Sequence, residues 1–291
     1  MKRGKLEQTG IYLVYVVLIL VAFSTLYPFI YVIMYSLSDS KAAMSGGLFL
    51  WPKSLNLDAF VSIAKTPLMY KSYINTLYIT VVGTGLSIIA TALTAYPLSI
   101  DYFVGRKAIS LLIYFTMLFS GGMIPTYLLV RDLNLIDTRW SLILPVLISG
   151  YNLFIMRNFF QTIPASLRES ACIDGASDFK IFLKIIIPVS LPAFAVQVMF
   201  YGVGYWNTFF ESLMYINDTT KQTLQVYLRT LINISAFGSY DSVSDRISGS
   251  VLTEETMKMA SIAASVIPII LVYPWLQKYY IKGMIVGAIK G

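Results

Sequence analysis

The sequence has no histidine, a single cysteine and few charges, 13% of its 291 residues. Without histidine it can hold no Ser-His-Asp triad, no imidazole metal site and no imidazole proton relay. The lone cysteine, Cys172, permits no intramolecular disulfide and leaves the redox compartment unread. No G-x-x-x-x-G-K-[ST] run occurs, so the chain does not hydrolyse ATP through a P-loop. The shortage of charge excludes most. An ordinary soluble domain carries about a quarter charged residues, and this supply cannot cover a water-facing surface. Low-complexity tracts, a soluble domain and a clear internal repeat are also missing.

What is present is apolar: 57% hydrophobic residues and a mean hydropathy of +0.70. Asp, Glu, Lys and Arg are absent from 8–38, 72–100, 108–130, 140–156, 185–210 and 259–277. A bilayer core about 30 Å thick takes roughly 17–25 helical residues, and even the shortest window, 140–156, has 17. A membrane β-barrel shows alternating segments of about 10 residues instead. The pattern predicts an all-α membrane protein with six transmembrane helices. The first apolar run, 11–35, exceeds the roughly 7–15 residues of a signal-peptide core, so it reads as an uncleaved first span.

Positive charge gathers on the cytoplasmic side of membrane proteins. With the N-terminus inside, the inner segments hold Lys2, Arg3, Lys5, Arg106, Lys107, Arg157, Arg168, Lys180, Lys184, Lys278, Lys282 and Lys290. Against them stand only Glu7, Asp101, Glu169, Asp174 and Asp178, and the outer segments balance, so the whole formal charge of +7 lies on one side. That asymmetry selects N-in, C-in. It also explains the pI of 9.3 without any nucleic acid. The chain reads as one transmembrane domain, 1–291, with a core at 72–280, a polar inner loop at 161–189 and an inner tail at 281–291. The fifth span is expected over 192–215 and a long outer loop over 216–256.

The inner loop has its own local logic. Pro164 suits the first turn of a helix, where its missing N–H costs nothing. Gly175 can end that helix in a left-handed conformation. Ser177 can cap a second helix, with Asp178 near its positive end. On that second helix Phe179, Phe182, Leu183 and Ile186 are expected on one face, and Lys180 and Lys184 on another. A helix–Gly turn–helix at the inner surface is expected, built for docking. As residues alone, it remains open whether this is more than a generic amphipathic loop.

Glu169-Ser170-Ala171, then Asp174-Gly175-Ala176, then Ile187-Pro188 resembles the EAA loop of ATP-binding-cassette (ABC) importer permeases. The family pattern is Glu-Ala-Ala, with Gly four positions after the second Ala. Ser170 replaces the first Ala and keeps its small size, and Ile187 stands where Leu often precedes the first Pro. The resemblance implies a type I ABC importer (MetI-like) permease bundle, whose loop is a coupling helix seated in a groove of the ATPase subunit. Glu169, Ser170, Ala171, Asp174, Gly175 and Ala176 would then form the ATPase-coupling element.

The tail 283–291 resembles the C-terminal signature of maltose-type carbohydrate permeases, implying that Gly287, Lys290 and Gly291 reach the ATPase. A small-xxx-small packing face is the alternative reading of the same residues. Ser120-Gly121-Gly122-Met123-Ile124-Pro125-Thr126-Tyr127 and Tyr205-Trp206-Asn207 are similar to the oligosaccharide branch of that family.

Sugars bind by stacking on aromatic rings and by hydrogen bonds to amides and carboxylates. Tyr201, Tyr205, Trp206, Asn207 and Glu211 on the fifth span offer those groups and form a candidate substrate path. Glu211 lies near the outer interface, where a merely solvated carboxylate is the leading reading. The outer loop, with Lys221, Arg229, Asp241, Asp245, Arg246, Glu254 and Glu255, reads either as a docking face for a binding protein or as a connector. The resemblance implies a transport subunit, not an enzyme, that imports an oligosaccharide or modified sugar. Its implied partners are a second permease subunit, two ATPase subunits carrying ATP and Mg, an extracytoplasmic solute-binding protein and membrane lipid. No cofactor or metal is expected in this chain. An ion-coupled secondary carrier is the alternative; it needs intramembrane charge and broken-helix repeats, and the spans contain no charge.

Overall fold

The computed structural model describes residues 5–237 and 253–288. Among them every regular element is helical, with one isolated bridge between Ser38 and Leu55. In chain order the helices are α1 (Lys5–Ser36), α2 (Ser40–Ala43), α3 (Asp58–Lys65), α4 (Pro67–Ser99), α5 (Arg106–Leu118) and α6 (Met123–Asp132). Two 3-10 turns, Arg139–Leu142 and Leu144–Val146, lead into α7 (Gly150–Thr162). Then come α8 (Ala165–Ile173), α9 (Asp178–Ile181), a π-helical turn (Phe182–Ile186), α10 (Ile187–Val189) and α11 (Leu191–Trp206). The remaining helices are α12 (Phe210–Tyr215), α13 (Leu224–Phe237) and α14 (Glu254–Ala288).

Three helices contain stretches long and apolar enough to cross a bilayer alone, at Gly10–Ser36, Pro67–Ser99 and Glu254–Val272. Three more crossings are broken: α5 with α6 bends by 114°, the 3-10 turns with α7 by 51°, and Asp178–Val189 with α11 by 80°. Counting each bent pair once gives six spans. The charge-free windows therefore mark the crossings, but not their straightness. Local chemistry accounts for the breaks. Ser120-Gly121-Gly122 interrupts the third span, and Pro145 falls inside the turns opening the fourth. Pro188 and Pro192 each remove a backbone N–H around Ser190 in the fifth. The fifth span also ends at Trp206, earlier than expected, and its outer part becomes the separate α12.

Two compact units can be distinguished, Met1–Tyr70 with Leu228–Ile267 and Lys71–Tyr227 with Pro268–Gly291. In the first, α1 is apolar all round, and its side chains from Tyr12 to Val21 are at least half exposed. Among the described residues of this unit nothing covers one face of that stretch, as suits a helix solvated by lipid or by another subunit. Only its last turns pack: Tyr31, Met34 and Tyr35 meet Ala43, Phe49 and Met259.

The second unit carries the larger cores. At one end Ala92, Ala95, Tyr96 and Leu98 of α4 meet Leu153, Met156 and Phe160 of α7, with Ile181, Phe182 and Ile186 completing the cluster. At the other end Ile79 gathers Val130, Leu142, Ile143, Tyr201, Tyr205 and Tyr215. Between them α11 lies against α4 through hydroxyls. Tyr201 Oη pairs with Thr91 Oγ1 at 2.7 Å, and Tyr205 Oη with Ser87 Oγ at 2.9 Å. The Tyr205 ring sits where a side chain at Gly83 would be, 2.7 Å from the position of a Cβ, so only glycine allows the approach.

Candidate functional site

α8 spans nine residues, and none of them is buried. Pro164 precedes it as the N-cap residue rather than lying in its first turn, and contributes no side-chain cap. The C-terminal end is closed with more care. The Gly175 N–H donates to Cys172 O at 3.0 Å and the Ala176 N–H to Ala171 O at 3.0 Å. Gly175 has φ +73°, where an L side chain is strained. These are the two bonds of a Schellman motif, which also brings its third-last helical residue against the residue after the glycine. Here those positions are Ala171 and Ala176, half-buried and packed on the core of Leu153, Met156, Phe160 and Phe182. The spacing of the Ala and Gly positions thus has a mechanical meaning. The alanines seat the turn, and the glycine reverses the chain.

Ser177 then caps the next helix, accepting from the Lys180 N–H at 3.4 Å, with Asp178 in its first turn. The face expected on this helix is realised only in part, and a π turn follows from Phe182 to Ile186. Ile181, Phe182 and Ile186 point into the core, whereas Phe179 and Leu183 are exposed. One residue far away in sequence completes the site. The Arg168 guanidinium lies 5.1 Å from the centre of the Tyr102 ring, and the Tyr102 hydroxyl donates to Asp178 Oδ1 at 3.3 Å. Partial burial and the Asp178 carboxylate push the Tyr102 hydroxyl above its ordinary range, while Arg168 opposes them. Nothing in the sequence singles out Tyr102, which stands alone in the turn between the second and third spans.

The outward side of α8 is set by helical spacing. Ser166, Glu169, Ser170 and Ile173 share one face, opposite Ala171, and Ile173 is 87% exposed. Leu167, Cys172, Asp174 and Gly175 are exposed as well. Glu169 and Asp174 make no side-chain hydrogen bond or ion pair among the described residues. α8 is therefore a short helix, stapled on one side by Ala171 and Ala176 and unpartnered on the other among the described residues. Gly287 falls within α14; Lys290 and Gly291 lie outside the described residues, as do Asp241, Asp245 and Arg246 of the outer loop.

The five residues of the candidate substrate path separate into two groups. Tyr201, Tyr205 and Trp206 are buried. Tyr201 Oη also accepts from the Ser149 N–H at 3.0 Å, so both tyrosine hydroxyls are occupied within the chain. Trp206 meets the Tyr73 ring edge-on at 5.9 Å, and its indole N–H is buried with no acceptor among the described residues. Asn207 is exposed just past α11, donating to Val203 O at 2.9 Å. Glu211, half-buried on α12, has no hydrogen-bond or ion-pair partner among the described residues. The tyrosines' partners carry a signal that sequence reading overlooked: Thr80, Thr84, Ser87, Thr91 and Thr94 recur at helical spacing through a charge-free span. Such a stripe of small hydroxyls permits close helix approach in a membrane.

Residues 81–286 match the family described as binding-protein-dependent transport system inner membrane component. The polygalacturonan/rhamnogalacturonan transport system permease protein YtcP of Bacillus subtilis is 45% identical over 96% of this chain and 97% of its own length. Protein LplC of the same organism is 43% identical over 92% of this chain and 90% of its own. Among solved structures, a bacterial ABC transporter that imports the acidic polysaccharide alginate superposes with a TM-score of 0.88 at 33% identity, covering 96% of this chain and 99% of that one. An unpartnered helix in the charge-rich loop between the fourth and fifth of six spans and this agreement along nearly the whole length lead to one conclusion: the chain belongs to the inner-membrane permease family of binding-protein-dependent ABC importers.

Proposed function

We propose that this permease passes an oligosaccharide through the membrane while α8 receives the motion of an ATPase subunit. The observation that carries the reading is the form of α8: stapled by Ala171 and Ala176, reversed at Gly175, and open on the face of Glu169, Ser170 and Ile173. A short helix fixed at its base transmits a push without absorbing it. Closure of an ATPase dimer on ATP and Mg would move α8, and with it the core built from Tyr96, Phe160 and Phe182. Inward-facing and outward-facing arrangements then form a two-state element that nucleotide biases. Glu169 is assigned to pair with a basic or backbone group of the ATPase, and Asp174 to face the same groove. Gly287, Lys290 and Gly291 are assigned to a second contact with the ATPase.

An importer of this family works with ATPase subunits and a solute-binding protein. A second permease chain is proposed to complete the pathway, pairing with this one as a heterodimer. An oligosaccharide as cargo accords with the names of the relatives, which specify polygalacturonan/rhamnogalacturonan and alginate. On the path, Asn207 and Glu211 retain open hydrogen-bonding groups for sugar hydroxyls, while Tyr201, Tyr205 and Trp206 build the wall that positions them. The test is uptake by the reconstituted transporter, in proteoliposomes loaded with ATP and supplied with binding protein and galacturonan- or alginate-derived oligosaccharides. ATP-dependent accumulation is expected. Accumulation driven by an ion gradient without ATP would sink the reading.

A further inference from the structure

A cavity of about 850 Å³ opens in the second unit at the end that carries α8, between the start of α5 and the last turns of α7. Arg106, Lys107 and Arg157 line it, with Asp101 as the one acid. Asp101 is taken by Arg106, as an ion pair. Arg157 donates to the Leu98 carbonyl at 3.0 Å and lies over the Phe154 ring, so neither it nor Lys107 meets a carboxylate among the described residues. The α5 N-terminus adds to this positive field. Gly105 supplies no side-chain cap, and the N–H groups of Lys107 and Ala108 have no acceptor among the described residues. The Ser110 hydroxyl, also lining the cavity, is buried and makes no hydrogen bond among the described residues.

Charge balance alone would be served by cations pointing into water. These cations instead line a cavity whose remaining walls, apart from Asp101 and Ser110, are largely apolar: Phe103, Ala108, Leu111, Tyr114 and Phe154. Lys107, Leu111 and Tyr114 fall on one face of α5, at i, i+4 and i+7, and Leu111 and Tyr114 are well exposed. The face therefore runs from a cationic, donor-rich pocket to a hydrocarbon-compatible strip, about 10 Å along the helix. A ligand matching both ends has an anionic, acceptor-rich head and an acyl tail. We propose that this cavity holds the phosphate headgroup of an anionic phospholipid from the cytoplasmic leaflet, with an acyl chain laid along Leu111 and Tyr114.

The test is native mass spectrometry of the assembled transporter, exchanged into mild detergent containing phosphatidylglycerol or phosphatidylcholine. Wild type is expected to retain phosphatidylglycerol in preference to phosphatidylcholine, and Lys107→Gln with Arg157→Gln to cut that retention about fivefold or more. Asp101→Asn leaves Arg106 without its acid and is expected to raise retention about twofold, a gain that misfolding cannot mimic. Equal retention of the two lipids, or of phosphatidylglycerol by all variants, overturns the proposal. Displacement of the lipid by millimolar inorganic phosphate would assign the pocket to a soluble anion. Loss of the lipid whenever the ATPase subunits are bound would assign it to protein docking. Either result overturns the lipid assignment.

Discussion

The two ends of the second unit are held together in different ways. At the end opposite α8, side chains from distant segments close on backbone groups. Asp137 accepts from the N–H groups of Asn217 and Asp218 at 3.2 and 3.0 Å and from Lys221 Nζ at 3.0 Å. Asn75 accepts two bonds from Arg139 at 2.9 and 2.7 Å and donates to Thr220 O at 2.8 Å. Thr76 Oγ1 takes the Leu224 N–H at 2.8 Å. At the α8 end this helix, the handle of the proposed coupling, rests on two alanines and one stacked arginine, and its polar side chains are open. The first end is cross-linked within the chain by these bonds. The other awaits a partner, because polar and apolar groups left exposed on a short helix gain energy only when something covers them.

The largest effect expected from breaking this contrast is at Gly175. Gly175→Val forces a β-branched residue into the left-handed region, at a cost of roughly 1–2 kcal/mol or more, and distorts the turn that seats α8. ATP-driven uptake should fall at least about tenfold while membrane insertion of the chain persists on immunoblots. Normal uptake by this variant would remove the handle from the mechanism.

Cys172 sharpens the same end without altering its fold. It is free and exposed on α8, so an impermeant thiol reagent should label it readily from the cytoplasmic side. Bound ATPase should slow that labelling several-fold. Labelling from outside the cell would put the handle on the wrong face of the membrane.

At the opposite end the effect should appear in stability, with coupling intact. Asn75 is buried, and Asn75→Ala leaves Arg139 and the Thr220 carbonyl without their partner. The cost should be about 1–3 kcal/mol, seen as a lower melting temperature in detergent. The ratio of uptake to ATP hydrolysis should stay near wild type.

The smallest effect is a pH dependence. Hydrogen bonds from the Asp218 N–H and from Lys221 hold the Asp137 carboxyl below its ordinary 3.8, and the Asp137 carboxylate holds Lys221 above its ordinary 10.5. Asp137 therefore stabilises the fold above pH 3.8 and ceases to as pH falls through its lowered native value. Lys221 contributes below 10.5 and is lost only as pH rises through its raised value. The melting-temperature gap between wild type and Asp137→Asn should hold constant from about pH 5 to about pH 9 and shrink in stronger acid. A gap that grows in acid contradicts the assignment.

Much of the handle was legible because its logic is local. Gly175, Ser177 and the small residues at 171 and 176 act within one turn, so their spacing carries the geometry. Tyr102 was not legible, since its place beside Arg168 and Asp178 depends on the path of α4 and α5. Phe179 and Leu183 are exposed for another reason: the buried face is centred on Ile181, Phe182 and Ile186, which leaves Phe179 and Leu183 at its edge, and apolar residue type alone does not place that centre. On the fifth span, residue type pointed to ring stacking, but the hydroxyls of Tyr201 and Tyr205 are spent on Thr91 and Ser87, a pairing that no single segment contains.

The sequence by itself determined the solvent, the number of crossings and the side on which charge collects, because hydrocarbon admits no unpaired charge and each crossing needs a fixed length of apolar helix. Tertiary structure alone decided which crossings bend, which hydroxyls lock α11 to α4, and which groups at either end stay open. Those outcomes depend on residues far apart in the chain meeting at contact distance, and one-dimensional spacing does not encode that.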